Sequence, residues 1–199
     1  MNAFLMRVLA VAAGGASLVL AADLGRGIEL YNSRSYTEAE RELREVLQNE
    51  PESARAHAYL GMALLSRDKV REAAEELRRA EELDATSPDV KIGLAQLYIE
   101  QKDYSKAETA LDEAGDVAEA RYYRGVLNVH RKRYEPAVKD LENEVARNPE
   151  NAYAHYYLGL AYSNTRRPDR MVRHFDTFLK LAPDAPEAKK VQSFLRSAR

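Results

Sequence analysis

Four histidines are the side chains best suited to move a proton or hold a metal in this chain of 199 residues: His57, His130, His155 and His174. No two of them stand at the four-residue spacing of a helical zinc-protease motif. His57 and His155 occupy one equivalent place in a repeating pattern, three units apart, so a metal shared between them is not expected. The chain has no cysteine, which removes thiol nucleophiles, Cys-based zinc sites and disulfide scaffolds. No glycine-rich phosphate loop occurs, because Gly14 and Gly15 lie in an apolar N-terminal run. Glu-Glu and Glu-x-x-Arg spacings abound, but on helices they are exposed pairs worth about 0.2–0.5 kcal/mol each, not acid–base dyads. No catalytic residue, metal or cofactor is therefore expected. The 12 tyrosines suggest a different task. Tyrosine joins apolar area and low rotamer entropy to a polar tip, the makeup of binding hot spots.

The elements that must position these side chains repeat. Gly27, Gly61, Gly125 and Gly159 are 34, 64 and 34 residues apart, and Ala95 fills the gap. Ala39, Ala73, Ala107, Ala137 and Met171 follow at spacings of 34, 34, 30 and 34, as do Tyr36, Val70, Tyr104, Tyr134 and Pro168. Three registers sharing one period and one four-residue deletion define an array of five units. Within a unit the apolar residues recur at three- and four-residue steps, the helical period. In the second unit Tyr59, Leu60, Ala63 and Leu64 precede a break, and Val70, Ala73, Leu77 and Ala80 follow it. Each unit therefore reads as two antiparallel helices and a turn. A glycine in mid-helix costs about 0.5–1 kcal/mol relative to alanine, so its use must be to let the second helix approach the first. Pro51, Pro149 and Pro183 mark ends of units.

These residues resemble the tetratricopeptide repeat, a 34-residue helix–turn–helix with Leu-Gly, Tyr, Ala and a late Pro. The segments AYLGMALLSRDKVREAAEELRRAEELD and HYYLGLAYSNTRRPDRMVRHFDTFLKLAP carry that pattern. The resemblance implies an all-α, right-handed superhelical solenoid with units near 20–53, 54–87, 88–117, 118–151 and 152–185. The array would span 22–185, and 186–199 would form a capping helix over the last apolar face. Unit three is four residues short and turns at Gly115-Asp116; unit five has Pro168 and Met171 where Tyr and Ala are typical.

The resemblance also implies that first helices line a concave groove and that the partner is a protein or peptide. Family register places Tyr31, Asn32, Met62, Gln96, Tyr122, Val126, His130, Tyr153, Tyr156, Leu160 and Asn164 in that groove. Tyr36, Tyr98, Tyr104, Tyr134 and Tyr162 fall on signature sites and belong to the core. The other seven tyrosines lie on first helices, with Tyr122, Tyr123, Tyr153, Tyr156 and Tyr157 clustered in units four and five. The carboxylate clamp of chaperone-binding relatives is absent, because its sites hold Leu24, Ile28, Ala58 and Met62.

The total of 30 basic and 32 acidic residues gives a net charge of −2 and hides an asymmetry. Residues 22–120 hold 23 acids and 13 bases, whereas 164–199 hold 4 acids and 9 bases. Arg166, Arg167, Arg170 and Arg173 form the densest basic group, a candidate secondary surface for an acidic partner, an anionic membrane or a second copy of the chain. Nucleic acid is not expected as a partner. Residues 1–21 read as a secretory signal peptide: Arg7, the apolar run Val8–Leu20, then Val19 and Ala21 flanking a small-residue exit. Export to a bacterial periplasm or beyond is the expectation. Retention as an inner-membrane anchor through residues 3–22 is the alternative, and the short apolar run speaks against it. The reading is a non-enzymatic scaffold or adaptor of the cell envelope, its rival a structural protein that self-assembles acidic end to basic end.

Overall fold

A computed structural model describes residues 23–198; the leader expected at 1–21 and the alternative anchor at 3–22 lie outside the described residues. Eleven α-helices and no strand occur among the described residues. They form five pairs: α1 (Leu24–Asn32) with α2 (Tyr36–Asn49), α3 (Ala54–Leu65) with α4 (Val70–Leu83), and α5 (Pro88–Glu100) with α6 (Tyr104–Glu113). The series continues with α7 (Ala118–His130) and α8 (Tyr134–Arg147), then α9 (Ala152–Asn164) and α10 (Pro168–Leu181), and ends on α11 (Ala188–Ala198). No described helix is long and apolar enough to cross a membrane.

First helices touch one another along the whole array, α1 on α3, α3 on α5, α5 on α7 and α7 on α9, whereas no second helix touches another second helix. The first helices therefore take the shorter, inner arc and the second helices the outer one. This is the right-handed solenoid in which the helix backbones of each unit meet only those of adjacent units. α11 packs on α10 and buries Val191 and Leu195.

Local chemistry places the helix ends. Asp23, Ser53, Asp103 and Asn151 are N-caps whose side chains accept from backbone N–H groups of the first turn, which satisfies donors that have no partner inside the helix. Pro88 and Pro168 stand at the first helical positions, where the missing N–H is harmless and φ is preset. Pro168 thus departs from the repeat pattern without breaking the helix.

All five intra-unit turns share one device that has no glycine. Arg34, Asp68, Lys102, Lys132 and Arg166 adopt φ of 64°, 60°, 60°, 60° and 57°. The residue after each donates its N–H back to a carbonyl of the first helix, as Ser35 does to Leu30 at 2.9 Å and Lys69 to Leu64 at 3.0 Å. This is the Schellman closure, in which a left-handed residue satisfies terminal carbonyls.

The mid-helix glycines are cradles for the second helix. A Cβ on Gly27, Gly61, Gly125 or Gly159 would stand 2.7, 2.6, 2.8 or 2.3 Å from Leu43, Leu77, Leu141 or Phe175. Those four partners are fully buried. Charged side chains then tie neighbouring units together. Glu40, 3% exposed, is bonded by Arg44 of its own helix and by Arg67 and Lys69 of the next unit's turn. Glu108 takes Arg131 and Arg133 in the same way. Burial acts to raise the Glu40 carboxyl, and the Lys69 bond with the nearby Arg44 and Arg67 charges outweighs it, leaving it below its ordinary value.

Candidate functional site

The inner arc is aromatic, and much of it is filled by its own side chains. Tyr31 of α1 packs its ring 5.5 Å from Tyr59 and 5.7 Å from Tyr36. Its hydroxyl reaches across the groove to the Tyr123 hydroxyl at 3.4 Å and to Gln96 at 3.5 Å. Gln96 in turn donates to the Met62 sulfur at 3.0 Å. Tyr31, Met62 and Gln96 are 7%, 1% and 9% exposed, so these three groove candidates contact each other rather than an open channel. Asn32, beside them, is exposed.

Units four and five carry the second half of the face. Tyr122 and Tyr123 meet edge to face at 4.8 Å, and Tyr156 touches Tyr157 at 5.2 Å and Tyr153 at 6.1 Å. Tyr156 is 8% exposed and rests 5.2 Å from Phe178, and Val126 is buried. Tyr122, Tyr153 and Leu160 keep part of their surface open, and His130 and Asn164 are exposed. His130 lies between Tyr104 and Tyr157, at ring distances of 6.0 and 5.9 Å, and desolvation of its ring by these neighbours lowers its pKa. Burial raises the hydroxyl pKa values of Tyr122 and Tyr123 well above the ordinary tyrosine range.

A polar seam runs through this aromatic lining at one repeat register: Arg55, Asp89, Glu119 and Tyr153, spaced 34, 30 and 34 residues apart. Arg55 Nε donates to Asp89 at 2.6 Å, and the Tyr59 hydroxyl to the same carboxylate at 3.4 Å. Glu119 is partly buried near Asp89 and Glu144. Burial, and next Asp89, push its carboxyl up to about 7, while Arg147 and Arg55 act in the opposite sense. Glu144 is 5% exposed and accepts from Arg147 at 2.5 Å and from Asn151 at 2.9 Å.

Asn151 also receives the Nη2 of Arg34, at 2.9 Å across 117 residues of sequence, and the same guanidinium lies 4.8 Å above the Tyr153 ring. Tyr153 donates its hydroxyl to Glu187 at 3.0 Å. Register reasoning omitted Glu119 and had no means of finding the Arg34 contact, because nothing local ties a turn in unit one to a helix cap in unit five.

Outside the groove, equivalent positions diverge. His57 meets Glu76 at 2.6 Å, whereas His155 meets His174, Nδ1 to Nδ1 at 3.0 Å. Both ring Nε2 atoms stand 3.0 Å from proline carbonyls, Pro51 and Pro149. Each Nε2–H therefore donates there, and His174 donates its Nδ1–H to His155. Burial, then the neighbouring His155 and Arg173, push His174 down to about 4. No cluster of three metal-ligating side chains forms among the described residues. In the basic group, Arg167 pairs with Glu135 at 3.1 Å, and Arg170 with Glu142 at 2.9 Å and the Tyr162 hydroxyl at 3.1 Å. Arg166 and Arg173 are exposed. Two of the four arginines are thus committed to the junction of units four and five.

Tetratricopeptide repeat family models match residues 24–88 and 133–186, and another matches 64–127. The chain belongs to the tetratricopeptide repeat family. Among solved tetratricopeptide structures, a thermophilic protein of Thermus thermophilus is 18% identical, with a TM-score of 0.65 over 88% of this chain and 96% of that one. YrrB, described as having an unusual peptide-binding site, is 17% identical, with a TM-score of 0.53 over 85% and 90%. At these identities the likeness is one of fold. Peroxisome biogenesis protein 5 of Arabidopsis thaliana is 28% identical over 164 residues, 76% of this chain and 21% of that protein. The chain thus spans about a fifth of that relative's length. Tetratricopeptide repeat proteins are as a class scaffolds that bind protein or peptide partners.

Proposed function

We propose that this protein is a non-enzymatic adaptor of the cell envelope that holds a peptide segment of a partner protein on its concave face. The observation that carries the reading is the aromatic lining of α7 and α9. There Tyr122, Tyr153 and Leu160 keep open surface on a rigid, buried support of Tyr156 and Phe178. Large amphipathic rings locked by packing lose little entropy on binding, which suits a hot spot. The N-terminal half of the groove is closed by Tyr31, Gln96 and Tyr123, so the peptide lies against units four and five, with His130 and Asn164 at its rim. The committed pairs of Arg167 and Arg170 leave less basic surface for end-to-end assembly. Export through residues 1–21 accounts for the envelope location.

The test is affinity capture from envelope extracts with wild type and with a His130→Glu/Asn164→Arg variant, which changes only exposed rim residues. Partner yield should fall at least about tenfold when rim charges oppose the ligand. Equal yield from both proteins rejects the groove. N-terminal sequencing of exported protein should begin near Ala22; a mature protein that retains Met1 rejects cleavage.

A further inference from the structure

The guanidinium of Arg34 rests on the start of α9. It belongs to the α1–α2 turn, in the left-handed conformation shared with Asp68, Lys102, Lys132 and Arg166. Among the described residues at that register, Arg34 is the one bonded to a helix cap four units along. Its Nη2 donates to Asn151 Oδ1 at 2.9 Å, and its Cζ lies 4.8 Å over the Tyr153 ring. Two acidic groups stand behind these contacts: Glu144 accepts from Asn151, and Glu187 accepts from the Tyr153 hydroxyl. Asn151 is itself fixed, because its Oδ1 caps α9 through Ala154 N–H at 3.2 Å. The corner therefore offers a planar cation an amide oxygen, an aromatic face and a negative background without rearranging the backbone.

The bridge is made by a side chain alone. No Cα of α1 comes within 8 Å of α9, and Arg34 is exposed. An exposed stacking contact of this kind is weak and exchangeable.

We propose that the Asn151–Tyr153 corner is a subsite for an arginine side chain of the partner peptide, occupied in the free protein by the chain's own Arg34. The proposal rests on the reading of the concave face as a peptide site and names the residue chemistry it selects. Arginine is favoured over lysine because a planar fork both stacks on a ring and donates in its own plane. Arg34 then competes with the ligand and sets a threshold that only an arginine-bearing partner passes.

The probes are N-acetyl-arginine amide and its neutral analogue N-acetyl-citrulline amide. They are titrated into wild type, Arg34→Ala and Arg34→Ala/Tyr153→Leu and followed by NMR at the Asn151 side-chain amide. Arg34→Ala should bind the arginine probe about tenfold more tightly than wild type, the effect of removing an intramolecular competitor of this strength. Citrulline should be the weaker ligand of Arg34→Ala by a similar factor, and Tyr153→Leu should abolish the gain. Equal affinity of wild type and Arg34→Ala, or of arginine and citrulline, overturns the proposal, and neither comparison depends on the Tyr153 variant folding. A nonapeptide library screened against wild type separates the two readings. Peptides that bind with no advantage for arginine reject the subsite and keep the groove. A library in which nothing binds, beside tighter arginine-amide binding by Arg34→Ala, rejects the groove and keeps the subsite.

Discussion

Replacing Glu119 by glutamine removes a charge that the groove disfavours, and the size of the effect depends on pH. The carboxyl rises from an ordinary value of 4.5 to about 7, first through burial and then through Asp89, with Glu144 adding to it and Arg147 and Arg55 opposing. The hydroxyls of Tyr31, Tyr59 and Tyr123 share its surroundings, since Glu119 raises each of them in turn. At about 1.4 kcal/mol per pH unit of displacement, the ceiling on the destabilisation is ~3 kcal/mol. Glu119 keeps part of its surface in water, and solvent screening brings the expected figure to about 1–2 kcal/mol.

The folded chain holds this proton more tightly than the unfolded chain does. The contribution of Glu119 is therefore most favourable near pH 4.5, declines through pH 7 and is lost above it. Glutamine does not titrate, and all other groups cancel between the two proteins. Urea denaturation of wild type and Glu119→Gln at pH 5, 6, 7 and 8 measures the difference. The variant should gain on wild type by about 1–2 kcal/mol between pH 5 and pH 8, with most of the change between pH 5 and 7 and little above it. A gap that stays constant across that range refutes the argument, because it would mean that Glu119 ionises in the groove as freely as in water.

Three further substitutions probe the scaffold. Gly159→Ala places a Cβ 2.3 Å from the buried Phe175 ring and should lower stability by about 1–2 kcal/mol in thermal or urea unfolding, after the helix-propensity gain is counted. Lys102→Gly relieves a left-handed side-chain position at φ 60° and should raise stability by up to about 1 kcal/mol, read as a higher urea midpoint at unchanged slope. Glu40→Gln leaves Arg44, Arg67 and Lys69 without their shared anion and should cost at least about 1 kcal/mol at pH 7. Because the Glu40 carboxyl is held below its ordinary value, the gap between wild type and Glu40→Gln should close as pH falls through the ordinary glutamate range and below it, measured by the same urea titrations.

The repeat was legible because each unit solves the same local packing problem. Gly61 must meet Leu77, and Gly159 must meet Phe175, so spacing alone announced the helix pairs and the close approach of the second helix. The N-caps Asp23 and Asn151 are likewise local, each side chain accepting from the first turn of its own helix. The five left-handed turns were hidden, because Arg34, Asp68, Lys102, Lys132 and Arg166 take a conformation usually marked by glycine. Family register put Tyr31, Met62, Gln96 and Tyr156 on the inner arc but carried no information about what would cover them.

The sequence by itself determined the number of units, their helical pairing and the aromatic bias of the first helices, since all three follow from contacts within one unit or between adjacent units. Only the tertiary structure decided how the two ends of the arc address each other. Tyr31 meets Tyr123, and Arg34 meets Asn151 and Tyr153. These partners are set by the summed rotation of successive units, and a small angle repeated along a solenoid leaves no trace in the spacing of any one repeat.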